Sequence, residues 1–150
     1  MTQNEQIPTV FFNASVILAG LKSPKGGSGL LLKWCQQNKV KGVVSEIVID
    51  EVKRHLSKIS LASTDLAYIV RKYSFKVTPA PEKSPLKKYL PVVVDPGDAH
   101  VLAACNQAKT KFLVTLDKRH LLVLRDEINE FKILSPGQFI AKIRLELRPS

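Results

Sequence analysis

Apolar and polar positions alternate with two different periods along the chain. Short apolar runs rich in β-branched and aromatic residues predict strands at residues 10–12, 42–44, 75–78, 112–115 and 131–134. Apolar residues at helical spacing predict helices at 14–21, 29–38, 46–57, 64–73 and 97–109, and a short helix near 118–125. A last helix begins at Ser135, where the segment Ser135 to Gln138 supplies a capping box.

Strands that alternate with helices predict an α/β fold of three layers (α/β/α) around a mostly parallel sheet of four to five strands. The length of 150 residues fits one domain over residues 1–150. Residues 79–91 contain four prolines and three lysines and predict an exposed loop. Residues 92–94 are all valine and continue the pattern as a further apolar strand.

Composition narrows the class of protein. No apolar run approaches the roughly 18 residues that span a bilayer, and residues 1–8 are polar, so we expect a cytoplasmic protein without a membrane partner. Cys35 and Cys105 fall in apolar helices and are expected to be buried thiols. The net charge of +10, from 23 basic and 13 acidic residues, favours polyanionic partners such as nucleic acid.

Polar residues follow the strands at the edge of a parallel sheet where ligands usually bind. They are Asn13 after the first strand, Glu51 in the helix after the second, Asp95 and Asp98 after residues 92–94, and Asp117 after residues 112–115. Capping is the alternative role for Asn13, Asp95, Asp98 and Asp117, since each stands at the start of a predicted helix. Glu51 is in the middle of its helix and has no such role.

Helical phase indicates which acids lean inward. The apolar stripe Val48, Val52, Leu56 and Ile59 has Glu51 on its margin and leaves Asp50 facing water. Asp98 shares a face with the apolar residues of its helix. Carboxylates gathered at one site repel one another unless a hard divalent cation, Mg²⁺ or Mn²⁺, lies between them. Such a site suits hydrolysis of phosphodiesters.

Four short motifs resemble those of the PIN domain family, the small metal-dependent ribonucleases that include VapC-like toxins. They occur in the family's order over nearly the whole chain, at residues 11–17, 45–52, 95–104 and 113–118. The resemblance implies a metal-dependent endoribonuclease, with Glu51, Asp98 and Asp117 as metal-site acids and Asp95 as an accessory acid. It also implies that Ser15 and Thr115 orient the site, and that an antitoxin protein could be a partner. We further expect a homodimer.

Asn13 departs from the family pattern, which has aspartate at this position. Its carboxamide can offer an oxygen to a cation but carries no charge, so metal binding should be weaker. A catalytically weak or inactive PIN-like RNA-binding domain is therefore the alternative function. A flavodoxin-like or receiver-type domain is a third, but its phosphate loop or phosphoacceptor pattern is missing. The residues expected to bind RNA are Lys22, Lys25, Lys53, Arg54, Lys118 and Arg119.

Overall fold

A computed structural model describes residues 7–56, 58 and 66–146 of the chain. Within these residues the strands are β1 (Thr9–Phe12), β2 (Lys41–Ser45), β3 (Lys76–Thr78), β4 (Phe112–Val114) and β5 (Lys132–Leu134). The helices are α1 (Ala14–Lys22), α2 (Gly27–Gln36), α3 (Glu46–Leu56), α4 (Leu66–Lys72), α5 (Lys83–Tyr89), α6 (Pro96–Gln107) and α7 (Pro136–Glu146).

The described strands form one parallel sheet in the order β3-β2-β1-β4-β5. β1 is central, and Val10, Phe11 and Phe12 are fully buried, as a strand covered by helices on both faces must be. The order runs outward from β1 in both directions, toward β2 on one side and β4 on the other. The direction of the strand order changes between β1 and β4. In parallel sheets, ligands usually bind in the crevice outside the carboxyl ends of the two strands at this point. The predicted three-layer α/β/α fold is confirmed.

Helices cover the sheet in packed groups. α1 packs against α2 and α3, α2 packs against α7, and α5 packs against α6. The turn between α1 and α2 depends on Gly29, since a Cβ there would lie 2.1 Å from the carbonyl oxygen of Pro24. The capping box predicted for α7 is present: Gln138 N–H donates to Ser135 Oγ, and Ser135 N–H donates to Gln138 Oε1. Cys35 and Cys105 are free, buried thiols.

Two predictions about the segment before α6 are wrong. Residues 79–91 are not a loop but contain α5, because Pro85 lies in the first helical turn, where the missing N–H costs no helical hydrogen bond. Tyr89 at the end of this helix is buried and its hydroxyl donates to Glu130. Residues 92–94 form no strand, and Val94 is 82% exposed, so Asp95 and Asp98 follow a turn instead.

Smaller differences concern the ends of helices. The helix predicted near 118–125 is reduced to a 3₁₀ turn at Leu122–Leu124 after a series of turns. α4 begins at Leu66. Some predicted features lie outside the described residues. They are the predicted helix ends at residues 57 and 64, the apolar residue Ile59, and most of the polar segment at residues 1–8. None of the described helices is long and apolar enough to cross a membrane.

Candidate active site at the carboxyl edge of the sheet

A cavity of about 350 Å³ opens at the carboxyl ends of β1 and β4. Asn13 follows β1 directly, and its main-chain N–H donates to Val114 at the end of β4, so the two strand ends are held together. The sequence places polar residues at both ends, and the structure brings them to the same cavity. The residues that line it are Asn13, Ser15, Glu51, Asp95, Gly97, Asp98, Val101, Leu116 and Asp117.

Asn13 is the centre of a hydrogen-bond network under the cavity. The residue is 9% exposed, and Oδ1 caps α1 by accepting from the main-chain N–H of Ser15 at 3.4 Å. The same oxygen accepts from Ser15 Oγ at 2.7 Å and from Thr115 Oγ1 at 3.2 Å. Both hydroxyls also accept main-chain hydrogen bonds, Ser15 from Leu116 and Thr115 from Asp117. The two residues expected to orient the site therefore tie the end of β1 to the segment after β4.

Asp117 lies at the start of the turn after β4. Its Oδ1 accepts from the main-chain N–H of His120 at 2.9 Å, so the predicted capping role is present. Its Oδ2 lies 3.2 Å from Nδ1 of His120, an ion pair when the imidazole is protonated. This pairing was missed by the sequence analysis, although the spacing of three residues in a turn is the signal that could have indicated it.

Asp95 and Asp98 stand at the start of α6 and differ in their partners. Asp95 caps the helix, since its Oδ1 accepts from the main-chain N–H of Gly97 at 2.9 Å. Asp98 lies one turn further on, and its Oδ2 is buried without a hydrogen-bond partner among the described residues. Burial raises the pKa of the Asp98 carboxyl above its ordinary value, and the carboxylate of Asp117 raises it further. His120 lowers this pKa to a lesser degree, and Asp95 and Glu51 raise it by still smaller amounts.

Glu51 reaches the cavity from α3. This helix starts immediately after β2 because Ser45 Oγ accepts from the main-chain N–H of Val48. Val48, Val52 and Leu56 are buried on the inner face, as the stripe predicts, and Glu51 on its margin is half-buried at the cavity while Asp50 is exposed. The phase of this helix was thus predicted correctly from the sequence.

Comparison with known proteins assigns the family. A model of the PIN domain matches residues 9–119, a span that includes every residue lining the cavity. The chain belongs to the PIN domain family. No curated protein matches the sequence.

Solved structures share the fold of this PIN domain. A toxin-antitoxin complex from Klebsiella pneumoniae contains a similar chain, with a TM-score of 0.62, 14% identity, and coverage of 85% of this chain and 97% of the other. The crystal structure of PAE2754 from Pyrobaculum aerophilum gives a TM-score of 0.57 and 15% identity, with 93% and 90% covered. At such identities the likeness concerns the fold alone.

Among the described residues of the PIN domain, no lysine or arginine lines the cavity. All six that were expected to bind RNA are exposed: Lys22, Lys25, Lys53, Arg54, Lys118 and Arg119. Lys118 and Arg119 directly follow Asp117 and are the nearest to the site in sequence. Lys22 ends α1, which begins beside the cavity, so a rise of about 1.5 Å per residue places it roughly 12 Å further along the helix. At about 100° per residue, Lys53 points away from the side of α3 that carries Glu51.

The chemistry of the cavity fits a hard divalent cation, although the side chains are not arranged around one. Among the described residues, no group of three or more His, Cys, Asp or Glu is arranged to hold a metal ion. Mg²⁺, however, keeps several waters and is often bound through only one or two carboxylates together with substrate phosphates. The Asp98 carboxyl lines the cavity with three further acids, and its Oδ2, which lacks a partner among the described residues, is an oxygen of the kind that such a cation takes as a ligand.

Proposed function

We propose that this PIN domain is a metal-dependent endoribonuclease that hydrolyses RNA phosphodiester bonds. The observation that carries the proposal is Asp98, which lines the cavity together with Glu51, Asp95 and Asp117 and whose Oδ2 is buried without a partner among the described residues. A carboxylate in such surroundings is unfavourable in the protein alone. A cation removes this cost, because it supplies both the missing partner and the opposite charge.

Glu51, Asp98 and Asp117 are the residues that would hold Mg²⁺ or Mn²⁺. When bound, such an ion polarises the phosphoryl group, lowers the pKa of a bound water and stabilises the leaving oxygen. Asp95 caps α6 through Oδ1 and is an accessory acid in this proposal. Ser15 and Thr115 act by positioning: their hydroxyls fix Asn13 and the main chain of Leu116 and Asp117.

RNA is the proposed substrate because the chain carries a net charge of +10 while its candidate site is acidic. Exposed lysines and arginines bind backbone phosphates without regard to sequence, and the acids act where the cation is bound. Lys118 and Arg119 are best placed for this role, since they follow Asp117 directly. A toxin paired with an antitoxin protein, a homodimer and a cytoplasmic location complete the proposal; the complex from Klebsiella pneumoniae supports the antitoxin partner.

Titration of the purified protein with Mn²⁺ tests this function. We expect saturable heat in calorimetry and, over the same range of Mn²⁺ concentration, cleavage of a structured RNA that stops when EDTA is added. The Asp126→Asn variant is the matched control, since it removes one exposed carboxylate outside the cavity. Heat without cleavage, or neither, would contradict the proposal.

A catalytically silent RNA-binding domain is the second candidate. It is favoured by one observation: Oδ1 of Asn13, the oxygen that the side chain could have offered to a cation, already accepts three hydrogen bonds. The same titration separates the two candidates. A silent domain would bind the RNA, in a salt-dependent manner, and leave it intact at every Mn²⁺ concentration.

A further inference from the structure

The orientation of the Asn13 carboxamide is determined by its neighbours. The main-chain N–H of Ser15 can only donate, so the atom facing it must be the amide oxygen. The hydroxyls of Ser15 and Thr115 each accept a main-chain hydrogen bond and donate their own hydrogens to this same oxygen, which agrees with that orientation. Oδ1 is therefore turned toward the network, and Nδ2 is the remaining polar atom of the side chain.

Nδ2 has no partner among the described residues and is not sealed in the interior. None of the described residues accepts a hydrogen bond from it. Within that part of the chain, the unpaired side-chain nitrogens and oxygens sealed from solvent are Asp98 Oδ2 and His100 Nδ1 alone, so Nδ2 of Asn13 is accessible. The residue as a whole is about nine-tenths buried and lines the cavity. The polar atom that Asn13 offers to a ligand is consequently a donor.

We propose that Asn13 binds a non-bridging oxygen of the RNA phosphodiester through Nδ2–H and is not a ligand of the cation. An amide N–H₂ carries no lone pair for a metal, and its partner must be a hydrogen-bond acceptor. This inference rests on the proposed function, because it is the phosphodiester that brings an anionic oxygen to this acidic cavity. Cation binding then depends on Glu51, Asp98 and Asp117 without Asn13.

Two substitutions at position 13 distinguish a hydrogen-bond donor to RNA from a ligand of the cation. Asn13→Ala removes Nδ2 and Oδ1 together. Asn13→Asp keeps an oxygen for the hydroxyls of Ser15 and Thr115 and replaces the donor by a charged oxygen. Asn129→Ala is the control, because Asn129 is exposed and lies at the opposite edge of the sheet. Mn²⁺ affinity is measured by calorimetry. RNA affinity is measured by fluorescence anisotropy at saturating Ca²⁺, with intact RNA verified on a gel.

We expect Asn13→Ala to bind Mn²⁺ within about twofold of the wild type and to bind RNA about tenfold more weakly, as befits the loss of one hydrogen bond to a charged group. Asn13→Asp should bind Mn²⁺ about tenfold more tightly, because a full charge now faces the cation. It should bind RNA more weakly, because the donor is gone. If Asn13→Ala does not fold, as judged by thermal melting, Asn13→Asp alone decides.

Three results would overturn the inference: a tenfold loss of Mn²⁺ affinity in Asn13→Ala, RNA affinity in Asn13→Ala equal to that of Asn129→Ala, or unchanged Mn²⁺ and RNA affinities in Asn13→Asp. None of them affects the proposed function, provided that the wild type binds Mn²⁺ and cleaves RNA. Conversely, a wild type that neither binds Mn²⁺ nor cleaves, yet loses RNA affinity on Asn13→Ala, would contradict the proposed function and support the donor role of Asn13.

Discussion

The two edges of the sheet each hold a carboxylate, and the two carboxylates differ in their hydrogen bonds and in the direction in which their pKa is shifted. At the amino edge, Glu130 precedes β5 and accepts hydrogen bonds from the Tyr89 hydroxyl, from Lys88 Nζ at 3.0 Å and from the main-chain N–H of Asn129. The Tyr89 hydrogen bond contributes most to lowering the pKa of the Glu130 carboxyl to about 2. At the carboxyl edge, Oδ2 of Asp98 has no partner among the residues that the structure describes, and burial together with neighbouring acids raises the pKa of this carboxyl.

This difference distinguishes a carboxylate that stabilises the fold from one that is stabilised by a ligand. Glu130 connects the end of α5 to the segment before β5, and its charge is matched within the protein. Oδ2 of Asp98 has no hydrogen-bond partner in the described part of the chain, and four acids face the same cavity. Folded proteins retain such unfavourable groups mainly at functional sites.

The largest expected effect is on catalysis. Asp98→Asn should reduce Mn²⁺-dependent RNA cleavage by more than about a hundredfold, because a metal-site acid contributes several kcal/mol of transition-state stabilisation. The melting temperature should stay the same or rise, since one of the crowded carboxylates is removed. Cleavage assays and thermal melting in EDTA measure the two effects, with Asp126→Asn as the control.

A different result would assign Asp98 to the structure of α6. This residue is in the first turn, where a negative charge interacts favourably with the helix dipole. A fall of several degrees in the melting temperature of Asp98→Asn, with cleavage retained, would mean that this effect outweighs the repulsion. The side chain of Asp98 makes no capping hydrogen bond, whereas Asp95 does, which is why we expect the opposite.

The second effect concerns the amino edge. Tyr89→Phe should lower the free energy of unfolding by about 1–2 kcal/mol, because it removes a buried hydroxyl that donates to a charged acceptor. Urea denaturation measures the change. Tyr68→Phe is the matched control: Tyr68 is 51% exposed, and its substitution should change stability by less than about 0.5 kcal/mol. Equal effects of the two substitutions would mean that the hydrogen bond from Tyr89 to Glu130 does not stabilise the fold.

Most of the fold follows from local patterns. β1, α3, α6 and α7 are marked by apolar period, capping residues and flanking turns, and the structure has each of them within a few residues of the predicted bounds. The prediction of a loop at residues 79–91 was wrong because prolines were interpreted as loop markers, although Pro85 is tolerated in a first helical turn. The decisive contact of that segment joins Tyr89 to Glu130, and proximity of residues 41 positions apart cannot be inferred from local periodicity.

The candidate site divides in the same way. The inward lean of Glu51 and Asp98 follows from helical phase alone, and the capping role of Asp95 follows from the proline after it. The environment of Asn13 could not be predicted. Its oxygen bonds to Thr115, which lies 102 residues away, and only the pairing of β1 with β4 brings the two together. Sequence thus indicated which side chains reach the cavity, but not which atom each of them presents.

The smallest effect is a difference in pH dependence between the two edges. The pKa of Asp98 is raised in the folded state, so the protein binds more protons than the unfolded chain between the ordinary value of 3.8 and the folded value. The free-energy cost of the Asp98 charge to the folded protein is present above this pH range and is absent below it. The pKa of Glu130 is lowered, so its stabilising contribution is present above the ordinary value of 4.5 and is lost as the pH falls to about 2.

Chemical denaturation measures the free energy of unfolding of the wild type, Asp98→Asn and Glu130→Gln from neutral pH down to about pH 2. At neutral pH the stability of Asp98→Asn should equal or exceed that of the wild type, and that of Glu130→Gln should be lower. Both differences should close on acidification, that of Asp98 at the higher pH. A Glu130→Gln deficit that persists unchanged at the lowest pH, or an Asp98→Asn advantage that grows with acid, would contradict the assignment of opposite charge states to the two edges.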